Sequence, residues 1–351
     1  MSLVLVTGAT GYIGQHIIDQ LLERNFKVVG TARSQAKADA LLANFSRIHD
    51  ITNLALEIVP DIETAGAFNE VLKNHRFDYV IHTASPISFG AVADLYDFYV
   101  KPAVAGCENI LQGVRDFAPS VKHVVVTSSF ASVMRAEEFS NQAFIHTEET
   151  WNPMDWSDVK EEFEAYIYSK KAAELASRKF VEDNQSELKY KYTSVHPSYV
   201  FGPHLFASSL ASASGSSELL NRILSYPPDK EGPFNDVASL ACDVRDVALI
   251  HVEALFHPEE LHNARLCTAS GKFSSQSILD VLNSRFPEFK GKFPVGNPIE
   301  GKHYLETQTP AFDFSKTLEL VGCSLRSLEE TLYDAAKQYF DFEKALAKSE
   351  S

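Results

Sequence analysis

Tyr166 and Lys170 lie four residues apart in the segment YIYSK, within a stretch of helical periodicity over residues 163–183. On a helix that spacing places both side chains on one face, one turn apart. A tyrosine ordinarily titrates near ~10. A neighbouring ammonium stabilises the phenolate and lowers that value, which makes Tyr166 a workable proton donor to a carbonyl oxygen. Tyr168 is the internal control, because four residues beyond it stands Ala172. A serine pair, Ser128 and Ser129, ends an apolar run at Thr127 and offers a hydroxyl that can hold the same oxygen.

The second constellation is TGATGYIG at residues 7–14, with Gly8, Gly11 and Gly14 spaced by three. A short β-branched apolar run precedes it, and Ile13, Ile17, Ile18, Leu21 and Leu22 follow at helical intervals. Strand, glycine turn and helix in that order make a pyrophosphate site: the backbone approaches the anion closely and the helix N-terminus faces it. Thr10, Tyr12 and Ile13 complete this cofactor-binding loop with the three glycines. NAD-specific folds carry an acidic residue after the second strand to bind the adenosine ribose. Here that position reads Thr31-Ala-Arg33-Ser, with Lys37 four residues beyond Arg33. Two cations in place of a carboxylate predict recognition of a 2′-phosphate, hence NADPH/NADP as cofactor.

Elements must bring these constellations together. Strand patterns at 3–6, 27–31, 56–59, 79–82, 121–127 and 191–195 alternate with helical patterns at 35–44, 62–75, 95–117 and 163–183. Such βαβ repetition predicts an α/β fold, a doubly wound parallel Rossmann sheet with ligands beyond the carboxyl ends of its strands. Residues 1–200 read as the dinucleotide-binding domain, with 236–257 returning to it. Residues 201–351 read mainly as a smaller C-terminal α/β substrate lobe. Within it, 207–217 (ASSLASASGSS) reads as a mobile loop, 243–256 as a helix N-capped by Asp243, and 294–310 as irregular surface chain. Further helices are predicted at 275–286 and 327–342, and a strand at 265–268.

Glycine turn, strand-end serine and Tyr-x-x-x-Lys, in that order, resemble the extended short-chain dehydrogenases/reductases. The segments RSQAK (33–37), VPDI (59–62), HTASP (82–86), ETWNP (149–153), HPSYVFGP (196–203) and DVRDVA (243–248) narrow the resemblance. They are similar to the dihydroflavonol reductase-like branch, and within it to fungal NADPH-dependent aldehyde and ketone reductases of the methylglyoxal/isovaleraldehyde type. The resemblance implies catalytic Ser129, Tyr166 and Lys170, with Ser128 the alternative serine and Lys170 also binding the nicotinamide ribose. It places Asp61 and Ile62 around adenine, Ala84 and Thr127 near the nicotinamide ribose, and His196, Pro197 and Ser198 beside the nicotinamide, with Pro197 shaping the turn. Ile87, Phe130 and Tyr199 fall at substrate-pocket positions. Two departures stand out. Ala105, in AVAG at 103–106, replaces an asparagine sometimes assigned to a proton relay in relatives; either Asn109, one turn away, substitutes for it or water reaches Lys170 without it. Ile87 replaces a frequent phenylalanine and implies a wider pocket.

Composition narrows the partners. With 32 basic and 47 acidic residues the chain carries a net charge of −15, which offers no electrostatic footprint for nucleic acid or anionic membrane. Cys107, Cys242, Cys267 and Cys323 are scattered, without C-x-x-C or a His/Cys cluster, so no metal site and no disulfide framework is predicted. No basic leader and no apolar span of ~20 residues is seen, and a cytoplasmic monomer or homodimer is the expectation. The leading function is an NADPH-dependent carbonyl reductase acting on aldehydes, dicarbonyls or ketones. The alternatives are a sugar-nucleotide epimerase or dehydratase of the same fold, which needs a large diphosphate site, and a non-catalytic dinucleotide-binding regulator.

Overall fold

The computed structural model describes residues 1–85, 92, 94–235 and 237–349. Seven strands form one sheet in the order β10-β7-β5-β4-β1-β2-β3. They are β1 (Leu3–Thr7), β2 (Lys27–Ala32), β3 (Leu54–Ile58), β4 (Tyr79–His82), β5 (His123–Thr127), β7 (Lys191–Pro197) and β10 (Arg265–Thr268), all parallel. Their near-continuous apolar sequences follow from burial on both faces, with Val4, Leu5, Val6, Val124 and Val125 all fully buried. Helices α1 (Tyr12–Glu23), α2 (Gln35–Phe45), α3 (Asn69–Asn74), α4 (Lys101–Phe117) and α5 (Glu162–Asp183) supply the crossovers. The strand order reverses direction between β1 and β4, and that switch point opens the ligand crevice of such a sheet.

A smaller C-terminal region carries a three-stranded sheet in the order β11-β9-β8, from β8 (Tyr199–Phe201), β9 (Ala238–Asp243) and β11 (Gly271–Ser274). Helices α6 (Ser216–Leu224), α8 (Ser275–Arg285) and α11 (Leu328–Ser349) pack over it around Phe201, Phe273, Phe286 and Phe340. A two-stranded parallel ribbon joins β6 (Ile145–His146) to β12 (Ala311–Phe312). Helix α7 (Val244–Ala254) starts at the Asp243 cap, whose carboxylate accepts from Arg245 N at 2.8 Å. It returns to the main sheet, where Ala248, Ile250 and Val252 share one core with Ile17, Ile18 and Leu21 of α1. Among the described residues no helix is long and apolar enough to cross a membrane.

Several local expectations are corrected. The predicted helix over 62–75 is helical only in α3. The Asp61 carboxylate accepts from Glu63 N at 2.8 Å and Thr64 Oγ1 at 3.0 Å, and Gly66 has φ +74°, so the chain turns before it can wind. Residues 207–217 are not loop throughout: Ala207–Ser212 forms a tight helical turn, and α6 begins after Gly215 at φ +58°. Residues 294–310 are not irregular either. Helix α9 (Pro298–Gln308) occupies most of them, its proline in the first turn and the Asn297 side chain capping Glu300 N at 3.2 Å. A short α10 (Ser315–Val321) follows. Ahead of α4 the residues Tyr96–Val100 wind one wider turn, which lets Pro102 sit at the helix start. Strand β7 runs through Pro197 rather than stopping at 195, which brings His196 into the sheet.

Candidate active site

Two glycines shape the cradle after β1. Gly8 has φ +71°, and a Cβ there would stand 2.7 Å from Thr83 Oγ1 and 2.9 Å from Ala84 N. A Cβ on Gly14 would collide with the Gly8 carbonyl oxygen. Only glycine lets β1, α1 and the segment after β4 come this close. Gly11 N donates to Gly8 O at 2.9 Å and closes the turn, while Gln15 Nε2 donates to Thr10 O at 2.9 Å. Tyr12 turns away from the cradle: its hydroxyl donates to Gly202 O at 2.6 Å, and Ile13 joins the apolar core. Ala84 N donates to Thr7 Oγ1 at 3.3 Å, so the β4 end is tied to the β1 end.

Past the end of β2 the exposed side chains of Arg33 and Lys37 flank the start of α2, whose Ser34 cap accepts from Lys37 N at 3.4 Å. Arg33 lies near enough to oppose the rise that burial gives the Glu63 carboxyl. Asp61 and Ile62 therefore share this end of the sheet with Arg33. Ile62 rests on Gly106 of α4, where an added Cβ would meet its Cδ1 at 2.9 Å. Asn109 fastens the same loop, its amide donating to the carbonyls of Ile62 at 2.9 Å and Thr64 at 3.0 Å. Its oxygen also accepts from Gly66 N at 3.4 Å. Asn109 is thus a brace for the 61–66 loop.

Helix α5 opens on a reciprocal cap between Glu161 and Glu164 and runs Tyr166, Lys170 and Glu174 down one inner face. Ser129 faces Tyr166 closely enough for its side chain to pull the phenol's titration down. Ser129 also caps the turn Phe130–Ser132, its Oγ accepting from Ala131 N at 3.1 Å. The Ser128 hydroxyl instead lies 3.3 Å from Ser132 Oγ. Lys170 Nζ donates to Ser85 Oγ at 2.8 Å and stands 5.4 Å from the centre of the Tyr166 ring. A cavity of about 20 Å³, room for roughly one water, is lined by Lys170, Ser85, His82, Cys107, Thr127 and Ser128.

Burial dominates the electrostatics of the pair. Burial pushes the Tyr166 phenol up to about 12, against the pull of Ser129 and with the help of nearby Tyr199. Burial likewise pulls the Lys170 ammonium down to about 8. His82 is held neutral, lowered to about 3 by burial and then by Lys170, with its Nδ1 2.8 Å from Thr7 Oγ1. The sequence places His82 at a strand end, and the structure gives it a packing partner there in Phe68.

The remaining expected residues divide. Thr127 lines the small cavity, but its hydroxyl lies 2.7 Å from His251 Nε2 on α7. His251 Nδ1 is 2.7 Å from Val247 O, so Nδ1 carries the proton and Nε2 accepts from Thr127. Pro197 ends β7 opposite Thr268, and Ser198 N donates to Thr268 O at 3.1 Å. Tyr199 is half-buried beside Phe273, with ring centres 5.1 Å apart. Phe130 is 4% exposed and packs against Phe314 and His146. Ile87 lies outside the described residues. Sequence reasoning overlooked Ser85, although it stands in the same HTASP segment as Ala84. It also overlooked Glu174, which extends the four-residue spacing of Tyr166 and Lys170 by one more turn.

A parallel seven-stranded sheet with a glycine cradle at its switch point is the framework of the dinucleotide-binding proteins. Residues 4–266 match the NAD dependent epimerase/dehydratase family, and the chain belongs to that family. It is 38% identical over 345 residues to the NADPH-dependent methylglyoxal reductase GRE2 of Saccharomyces cerevisiae, covering 97% of this chain and 98% of that protein. The crystal structure of yeast methylglyoxal/isovaleraldehyde reductase Gre2 complexed with NADPH superposes with TM-score 0.90 at 37% identity, over 97% of this chain and 99% of that one. Gre2 of Candida albicans in complex with NADPH gives TM-score 0.91 at 38% identity, again over 97% and 99%.

Proposed function

We propose that this chain is an NADPH-dependent carbonyl reductase that converts aldehydes, dicarbonyls or ketones to alcohols. The observation that carries it is the meeting of Ser129, Tyr166 and Lys170 at the carboxyl ends of the strands, beside the glycine cradle. Relatives matched over nearly their whole length are NADPH-dependent reductases, which supports the same activity here. The residues present fit NADPH: the cradle has no room for a Cβ at Gly8 or Gly14, and two cations stand where an NAD-specific fold has a carboxylate.

Bound NADPH would supply the hydride for the carbonyl carbon. Tyr166, with its phenol near 12, is protonated at neutral pH and gives its proton to the carbonyl oxygen. Ser129 holds that oxygen by a second hydrogen bond and fixes the tyrosine hydroxyl. Lys170 holds the nicotinamide ribose, with Ser85 bracing its ammonium, and its charge stabilises the phenolate left after proton transfer. Gly8, Thr10, Gly11 and Gly14, with the backbone of Tyr12 and Ile13, would form the pyrophosphate cradle, Arg33 and Lys37 would take the 2′-phosphate, and Asp61 and Ile62 would flank adenine. Ala84, Thr127, Pro197 and Ser198 border the nicotinamide end. Tyr199 and Phe130 contribute walls of the substrate pocket. The division into a cofactor lobe of 1–200 with 236–257, and a substrate lobe of mainly 201–351, fits this assignment, as do a cytoplasmic location and a monomeric or homodimeric state.

The test is NADPH oxidation followed spectrophotometrically with a panel of aldehydes, dicarbonyls and aryl ketones at millimolar concentration. Turnover on at least one of these classes is expected. NADPH binding without turnover on any would favour a regulator, and tightly bound NAD released on denaturation would favour an epimerase.

A further inference from the structure

Behind the proposed catalytic residues lies a buried charge array that reaches all of the segments carrying them. The Glu174 side chain is fully buried, one helical turn beyond Lys170 on α5. Arg265, the first residue of β10, donates to it through Nε at 2.8 Å and Nη2 at 3.0 Å, a two-point fork. The same guanidinium donates from Nη2 to Ser132 O at 3.2 Å, in the turn that Ser129 caps. From Nη1 it donates to Glu148 O at 3.0 Å and to Thr150 O, and the Trp151 ring covers it with its centre at 4.0 Å. Arg178, one turn further along α5, also donates to Glu174 from Nε at 2.9 Å, and His196 completes the set. Its Nδ1 lies 3.0 Å from Ser132 Oγ and 3.3 Å from the Ser129 carbonyl oxygen, and its Nε2 lies 3.6 Å from Glu174.

Ser129 comes from the end of β5, whereas Tyr166 and Lys170 come from α5. Arg265 joins these two segments by hydrogen bonds to both. We infer that Arg265, locked by Glu174 and seconded by His196, is the positioning residue that sets Ser129 against Tyr166. A buried ion pair is weak evidence for stability, because desolvation offsets its attraction. A guanidinium that satisfies carbonyls from two other segments as well has a geometric role that a well-packed apolar pair would not supply. This inference rests on the proposed catalytic roles of Ser129 and Tyr166.

The experiment is a double-mutant cycle between Arg265→Lys and Ser129→Ala in the full chain, with kcat and the KM for NADPH measured separately. Lysine keeps the charge and loses the fork. In the wild-type background, R265K is expected to lower kcat by about tenfold, within the coupling range of residues in one hydrogen-bond network, with the NADPH KM little changed. In the S129A background, R265K is expected to cost nothing further, since the group it positions is gone. A merely structural residue would lower kcat by the same factor in both backgrounds, and that result overturns the inference while leaving the catalytic assignment intact. S129A with full activity overturns the serine assignment and this inference with it. If R265K does not fold, E174Q/R265M removes both buried charges and carries the same cycle. Unchanged kcat in a folded variant of either kind also overturns the proposal.

Discussion

Ser129 faces Tyr166 across two elements, a strand-end turn and a long helix, close enough for its side chain to lower the phenol's titration. Ser128, one residue earlier, points its hydroxyl towards Ser132 instead. Adjacent residues at a strand end face opposite ways, so only one of the pair can serve the tyrosine. Ser129→Ala is therefore expected to lower kcat/KM by at least tenfold more than Ser128→Ala. Steady-state kinetics on the two purified variants decides between them, and a larger loss with Ser128 would reverse the assignment.

Tyr166→Phe should fold, bind NADPH and lose on the order of 100-fold or more in carbonyl reduction, the usual contribution of a positioned proton donor. Tyr168 is a suitable control, since its ring packs on Trp156 with centres 5.5 Å apart and has no lysine one turn on. Tyr168→Phe is expected to stay within a few-fold of wild type. Near-normal turnover by Tyr166→Phe would leave the mechanism without its acid.

Legibility in the sequence followed the range of the forces. The glycine cradle and the Tyr166/Lys170 pair are local patterns whose spacing dictates their geometry, and they stand where that spacing put them. The 62–75 region misled because its apolar spacing is helical, while Asp61 and Asn109 impose turns through side-chain hydrogen bonds. The Asn109 part comes from a different helix, which no local window contains. Helix α9 was legible in principle from Asn297 and Pro298, a capping residue followed by a first-turn proline. The Glu174–Arg265 fork joins α5 to β10 and was invisible to motif reading. The burial that raises Tyr166 was equally hidden, since it comes from the packing of whole elements around the ring.

Asn109→Ala should loosen the adenine end of the cofactor site. It removes the donor to the Ile62 and Thr64 carbonyls and the acceptor for Gly66 N. Leaving such groups without partners costs about 1–3 kcal/mol each where they are buried. The expected outcome is a several-fold rise in the KM for NADPH with kcat nearly unchanged, because the reacting atoms lie at the other end of the cofactor. A fall in kcat at constant KM would instead tie Asn109 to proton transfer.

Lys170 predicts a pH effect on stability. Its ammonium titrates near 8 in the folded chain, below the ordinary 10.5, because burial disfavours the charge. The unfolded chain therefore binds the extra proton between those values, and wild-type stability gains with rising pH across that window. Below pH 8 the cost is present in full, about 3 kcal/mol at most. Lys170→Met removes it, so the variant should be the more stable protein at pH 7, with the gap closing towards pH 10. Urea unfolding of both proteins at several pH values measures the gap, and one that is constant with pH would contradict the shift.

Cofactor choice is set at the far end of the sheet, where β2 gives way to α2. A carboxylate there would accept from the ribose 2′-hydroxyl and repel a phosphate. Arg33 and Lys37 stand exposed at that end, Arg33 close to Glu63 and Lys37 in the first turn of α2. A guanidinium grips a phosphate through paired, charge-assisted hydrogen bonds, and each bond to a charged group contributes about 1.5–3 kcal/mol. Wild type is therefore expected to prefer NADPH over NADH clearly. Arg33→Asp with Lys37→Ala should raise the KM for NADPH by roughly 10- to 100-fold, while kcat with NADH stays close to wild type. The hydride leaves from the opposite end of the cofactor, beyond the reach of either substitution. Kinetics with both cofactors on both proteins settles it: a wild type that favours NADH, or a double variant whose NADPH KM does not move, removes Arg33 and Lys37 from the phosphate site.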